Sequence, residues 1–130
     1  MENKTKLKWR RLIPNPKDAK HYVDIAHISA GCDYTIHVGK TRNGPENQYF
    51  ARLTTIGYNP DSKSPVPKPA CIDIVKPFTF YTRKDENAQT ICLKNLIDWA
   101  GQNRKCDEAI DRLYNKLTTY LIKPEKDSAT

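Results

Sequence analysis

His21-Tyr22-Val23-Asp24-Ile25-Ala26-His27-Ile28-Ser29-Ala30-Gly31-Cys32-Asp33-Tyr34-Thr35-Ile36-His37-Val38-Gly39 decides how the rest of the chain is read. Apolar residues alternate with polar ones on both sides of Ser29-Ala30-Gly31-Cys32, the pattern of a half-buried β-hairpin. Placing Ile28 opposite Asp33 pairs Val23 with Val38, Ile25 with Ile36 and His27 with Tyr34 on one side. Asp24 then meets His37, and Ala26 meets Thr35, on the other. One register sorts both strands into an apolar and a polar face, and a slip by one residue would undo it.

Upstream lies Lys4-Thr5-Lys6-Leu7-Lys8-Trp9-Arg10-Arg11-Leu12-Ile13. At a strand's period of two, Lys4, Lys6, Lys8 and Arg10 fall on one side, while Leu7 and Trp9 fall on the other. The segment is expected to dock its apolar side on a sheet and present a row of cations. Pro14-Asn15-Pro16-Lys17-Asp18 is a turn through which no central strand continues.

Downstream, Lys40–Asn47 reverses the chain with Asn43-Gly44 at its tip. Gln48–Tyr58 returns as a strand of mixed alternation, with Tyr49, Ala51 and Leu53 on one face and Phe50, Arg52, Thr54 and Ile56 on the other. Either both faces are partly covered or a bulge shifts the phase. The prolines of Asn59–Ala70 predict an extended, stiff loop. In Cys71–Arg83, Ile72, Ile74, Phe78 and Phe80 share one parity; Asp73, Thr79, Tyr81 and Arg83 share the other. Pro77 places this strand at an edge or kinks it.

The remainder is helical. Leu93, Leu96, Ile97 and Ala100 recur at helical spacing, with Gly101 as a C-terminal stop. A second helix, Asp107–Ile122, aligns Ile110, Leu113, Tyr114, Leu117 and Leu121 and orders its acids before its bases, as the helix dipole favours. Strands followed by helices predict one α+β domain over residues 1–123, with a loose tail at 124–130. Its architecture is a five-stranded antiparallel meander with two C-terminal helices on one face. The opposite face is left for water or a ligand.

The bulk numbers narrow the functional classes. Among 130 residues, 38% are hydrophobic and 28% charged, ordinary for a globular domain. No stretch approaches the ~20 apolar residues of a membrane span and no segment resembles a signal peptide, so a cytoplasmic protein without membrane contact is expected. The net charge is +7, and residues 1–20 hold seven basic groups against two acidic ones. The surplus is therefore local, as recognition of phosphate or of an acidic protein surface requires. Cys32, Cys71, Cys92 and Cys106 form no close pair and are expected to be free, buried thiols.

Candidate chemistry is sparse. His27, Cys32 and His37 are near in sequence, but the register above sends the two histidines to opposite faces, so no metal is predicted. Asp73 and Lys76 are three apart on a strand and face opposite ways, and no phosphate-cradling glycine loop or nucleophile elbow is present. No catalytic residue and no cofactor are predicted. Single-stranded nucleic-acid binding asks for cations that track phosphates and aromatics that stack on bases. The candidates are Lys4, Lys6, Lys8, Arg10 and Arg11, extended by Lys40, Arg42, Arg52, Tyr81 and Arg83. The alternative is a protein-interaction or inhibitor module, of the kind mobile elements and phages direct at host nucleic-acid machinery. It would use the same basic edge strand on an acidic protein or in a homodimer.

Overall fold

The structure, a computed structural model, describes residues 6–41, 44–58 and 69–120. Lys4, Arg42, most of the proline-rich segment and the tail at 124–130 lie outside the described residues. Five strands form one antiparallel sheet in chain order: β1 (Arg10–Leu12), β2 (Val23–Ser29), β3 (Asp33–Lys40), β4 (Gln48–Tyr58) and β5 (Pro69–Tyr81). Helices α1 (Asp85–Asn103) and α2 (Glu108–Leu117) follow. The α+β meander read from the sequence is the architecture found.

The hairpin register differs by one residue from the predicted one. Ser29 pairs with Asp33, so the turn is the three residues Ala30-Gly31-Cys32, with Gly31 at a φ of 83°. Only a residue without a Cβ adopts that backbone cheaply. The shorter turn brings Ile28 opposite Tyr34, Ala26 opposite Ile36 and Asp24 opposite Val38. The inward face of β2 is therefore Asp24, Ala26 and Ile28, all buried, and Val23, Ile25 and His27 point outward. The pairing of Asp24 with His37 at the surface is thus overturned. Asp24 faces in because the interior supplies partners for its carboxylate.

Those partners come from two other elements. Arg11 on β1 donates to both Asp24 oxygens, from Nε at 2.8 Å and from a terminal nitrogen at 3.1 Å. Gln89 on α1 adds a third bond at 2.9 Å. The Arg11 guanidinium also lies over the Tyr22 ring, 3.7 Å from its centroid. Close by, the Tyr49 hydroxyl donates to Asp85 in the first turn of α1. Burial, then the bond to Asp85, pushes the Tyr49 phenol up to about 12. Burial works to raise Asp85 as well, but the Tyr22 and Tyr49 phenols and the charges of Lys40 and Arg11 outweigh it, so its carboxyl is held below its ordinary value. Burial raises Tyr22 further still; its hydroxyl is enclosed near Asp85 and Tyr49 without a hydrogen bond of good geometry to either. Two inward carboxylates thus staple the start of α1 to the sheet.

The mixed alternation of β4 is resolved on its partner. Tyr49, Ala51 and Leu53 are buried, and β5 takes one extra residue between Phe78 and Val75 and another between Val75 and Asp73. Two single-residue bulges cancel. Ile72 thereby returns to the side of Phe78 and Phe80, and Asp73 to the side of Tyr81. Pro77 sits at the first irregularity of an edge strand, where no ladder hydrogen bond is asked of it.

Ile36, Val38 and Leu53 meet Cys92, Leu96, Leu113 and Leu117 in the core, each under 2% exposed. α1 runs through Gly101 to Asn103, so that glycine is not the predicted stop. Its small size serves packing instead: a Cβ there would lie 3.0 Å from the Tyr114 ring of α2. Asp107 is the N-cap of α2, its side chain accepting the Ala109 amide at 2.8 Å. The helix ends at Leu117, five residues before the predicted boundary. Of the four unpaired cysteines only Cys92 is buried; Cys32, Cys71 and Cys106 are exposed, contrary to expectation.

Substituting Arg11→Met leaves the Asp24 carboxylate buried with Gln89 alone. The expected loss is about 3 kcal/mol in urea unfolding, most of it recovered in Arg11→Met/Asp24→Leu. A loss below about 0.5 kcal/mol would mean that the pair behaves as a solvated surface contact.

Candidate nucleic-acid interface

With both helices packed on the inward face, the outward face of the sheet carries no described element. The register orders its side chains into cross-strand rows. Arg10, Ile25, His37 and Arg52 form one row across β1 to β4. Leu12, Val23, Gly39, Phe50 and Thr79 form the next, running on to β5. Tyr81, 63% exposed, stands opposite Gln48 beyond that row. A row containing two guanidiniums and an imidazole therefore lies beside a row containing an aromatic ring.

The segment leading into β1 keeps its predicted two-sidedness without being a strand. Leu7 is buried and Trp9 packs against the core, whereas Lys6, Lys8 and Arg10 are exposed. Two apolar anchors thus hold three cations outward. Arg11 has the opposite parity and turns inward to Asp24, which removes it from the exposed set. Arg52 stays on the open face but is paired with Asp73 through bonds of 3.0 and 3.1 Å. That pair is solvent-accessible, so it is worth less than about 1 kcal/mol and yields readily to a competing phosphate. Lys40 lies at the end of the sheet with its ammonium 5.5 Å from the Tyr22 ring centroid. Arg83 is exposed just past β5 at that same end.

Phe50 was not singled out from the sequence, and His37 was considered only as a metal ligand, although both face outward. Phe50 lies across Gly39, where a Cβ would come within 2.9 Å of the Phe50 ring and 2.7 Å of the Tyr22 carbonyl oxygen. The glycine is what lets the ring come this close to the β3 backbone. A glycine paired with an aromatic was visible in the sequence, but only the correct register pairs them.

His27 and His37 share this face, so the prediction that they diverge is corrected: the one-residue shift turns His27 outward, opposite Thr35. Thr35 Oγ1 lies 3.3 Å from His27 Nδ1. Among the described residues no group of three or more His, Cys, Asp and Glu could hold a metal ion. Burial, then the nearby Arg52 charge and a smaller push from His27, lowers the His37 pKa, against the opposing pull of Asp73. Its Nδ1 is enclosed without a partner among the described residues. The Cys92 thiol is pushed up to about 12 by burial and is no nucleophile. Among the described residues no helix is long and apolar enough to cross a membrane.

Comparisons of the chain with protein-family profiles, with curated proteins and with solved structures give no match.

His37 makes a pH prediction with a definite sign. The unfolded chain takes up its proton near the ordinary value of 6.5, before the folded protein does. Stability is therefore lost as pH falls below that value and levels off once the depressed folded pKa is passed. Thermal unfolding of the wild type and of His37→Gln between about pH 7.5 and about pH 5 should show the wild type losing more stability. Parallel losses would place His37 in ordinary solvent.

Proposed function

We propose that this domain binds single-stranded nucleic acid without sequence preference along the open face of its sheet. The observation that supports it most is the adjacency of the two rows. Arg10 and Arg52, with Lys6 and Lys8 leading in, offer phosphate contacts, and Phe50 and Tyr81 offer flat apolar surface beside them. Backbone charge and stacking bases are the two features every single strand presents, and this face meets both without a base-reading motif. Of the residues singled out from the sequence, Arg10, Arg52 and Tyr81 lie on this face by register, Lys6 and Lys8 are exposed in the segment leading to it, and Lys40 and Arg83 stand at its end. The width of a β-sheet suits an extended strand with splayed bases better than the groove of a duplex.

A second reading rests on a different observation. β1 is a three-residue edge with Leu12 38% and Ile13 43% exposed beside Arg10. A short edge that is both apolar and basic suits strand addition to an acidic protein, or to a second copy of this chain. Capture of a partner from nuclease-treated lysate, with light scattering of the pure protein, separates this reading from the first.

With about four phosphates contacted, affinity for a short oligothymidylate should fall with salt at a slope near −3, or roughly 50-fold between about 50 and about 200 mM. Lys8→Ala and Arg10→Ala should each reduce that slope by roughly 0.7. Lys94→Ala, an exposed change on α1, should leave it alone. Fluorescence anisotropy at several salt concentrations measures this. A flat salt response, or an equal effect from Lys94→Ala, would contradict the proposed face.

A further inference from the structure

At the end of the sheet where β2 begins, the Pro14–His21 segment overhangs the row of Val23, Gly39 and Phe50. Between them is a cleft of about 360 Å³, lined on the sheet side by Val23, Phe50 and Lys40 and on the loop side by Pro14, Asp18 and His21. Resting on the reading just given, the geometry points to this cleft as the seat of one nucleobase of the bound strand, stacked on Phe50 with its phosphate held by Lys40.

Three features argue for a base over water or an aliphatic group. The floor holds an aromatic ring seated against Gly39, where a Cβ would lie 2.9 Å from it. A half-buried aromatic ring that lines an open cleft can serve as a stacking platform, and every base has a π-face to set on it. The rim, secondly, offers hydrogen-bonding groups of both senses. His21 Nδ1 is 2.6 Å from Asp18 Oδ2, and a carboxylate only accepts, so Nδ1 carries the proton. In the neutral ring Nε2 is then an acceptor. Asn15, which also lines the cleft, accepts the Lys17 amide through Oδ1 at 3.0 Å, which leaves its side-chain N–H groups as donors. An acceptor and a donor together suit the edge of a heteroaromatic ring, whereas an aliphatic group would leave both unpaired. Thirdly, a cation stands at the cleft. Lys40 forms no ion pair among the described residues, and Lys17 and Lys20 on the overhanging loop are exposed. The cleft also continues the row next to Arg10 and Arg52, so a strand following those cations reaches it without leaving the sheet.

The test uses an oligothymidylate carrying one 2-aminopurine, whose fluorescence reports stacking, with the full-length protein and its Phe50→Leu variant. Leucine keeps the apolar floor and removes the aromatic face. The wild type should bind with a change in 2-aminopurine fluorescence. Phe50→Leu should bind about tenfold more weakly, lose the fluorescence change and keep the salt slope, because stacking and phosphate contacts are separate contributions. Should Phe50→Leu not unfold cooperatively in urea, His21→Ala on the exposed rim replaces it and should diminish the same signal. Unchanged affinity and fluorescence in a folded variant would overturn the base pocket while the salt dependence of the wild type still supported the open face. Absence of any salt-dependent binding by the wild type would overturn both.

Discussion

The buried carboxylate of Asp24 sets the phase of this sheet. A charge removed from water costs several kcal/mol unless it is bonded on all sides, and here three bonds from Arg11 and Gln89 meet that requirement. Once Asp24 faces in, strand geometry leaves no choice for its neighbours: Ala26 and Ile28 follow it inward, and Val23, Ile25 and His27 go out. The same bonds tie β1 and α1 to β2, so the edge strand and the helix layer are positioned by one group. A side chain usually read as a surface marker is here the interior point on which three elements converge.

The composition of the open face follows from that phase. Had Val23 and Ile25 been buried, the outward side of β2 would have been Asp24 and Ala26, and an acid would have sat beside Arg10 and Arg52. The actual register puts Asp24 on the far side of the sheet and leaves cations, imidazoles and Phe50 together. Asp73 is the acid on the described part of this face within reach of a guanidinium, and its pairing with Arg52 is too exposed to hold that cation against a phosphate. The two apolar anchors, Leu7 and Trp9, act on the same outcome from another direction. They spend no charge and fix where Lys6, Lys8 and Arg10 emerge.

Much of the fold was legible because periodicity survives imprecise boundaries. The five strands, the two helices and the meander order all rest on apolar spacing that the packed core reproduces, from Ile36 and Leu53 to Leu113 and Leu117. Two kinds of feature were not legible. The register of the first hairpin depended on a turn of three residues instead of four, and the Gly31 backbone that permits it was open to either count. The inward course of Asp24 depended on Gln89, a partner 65 residues away on an element whose docking no local pattern reveals. The site suffered in proportion: the cations were visible as a basic run, but Arg11 was counted among the ligand-binding cations although it bonds to the inward Asp24, and Phe50 had no reason to be chosen until Gly39 was placed against it.

A strand bound as proposed lies along the open sheet face and leaves the helix layer untouched. Amide and side-chain chemical shifts of the labelled protein, followed while oligothymidylate is added at low salt, test that placement most directly. Shifts concentrated at Arg10, Ile25, His37, Arg52 and Phe50, with the solvent side of α1 and α2 unmoved, are the predicted result. Shifts gathered on the helices, or a spectrum that does not respond, would contradict it.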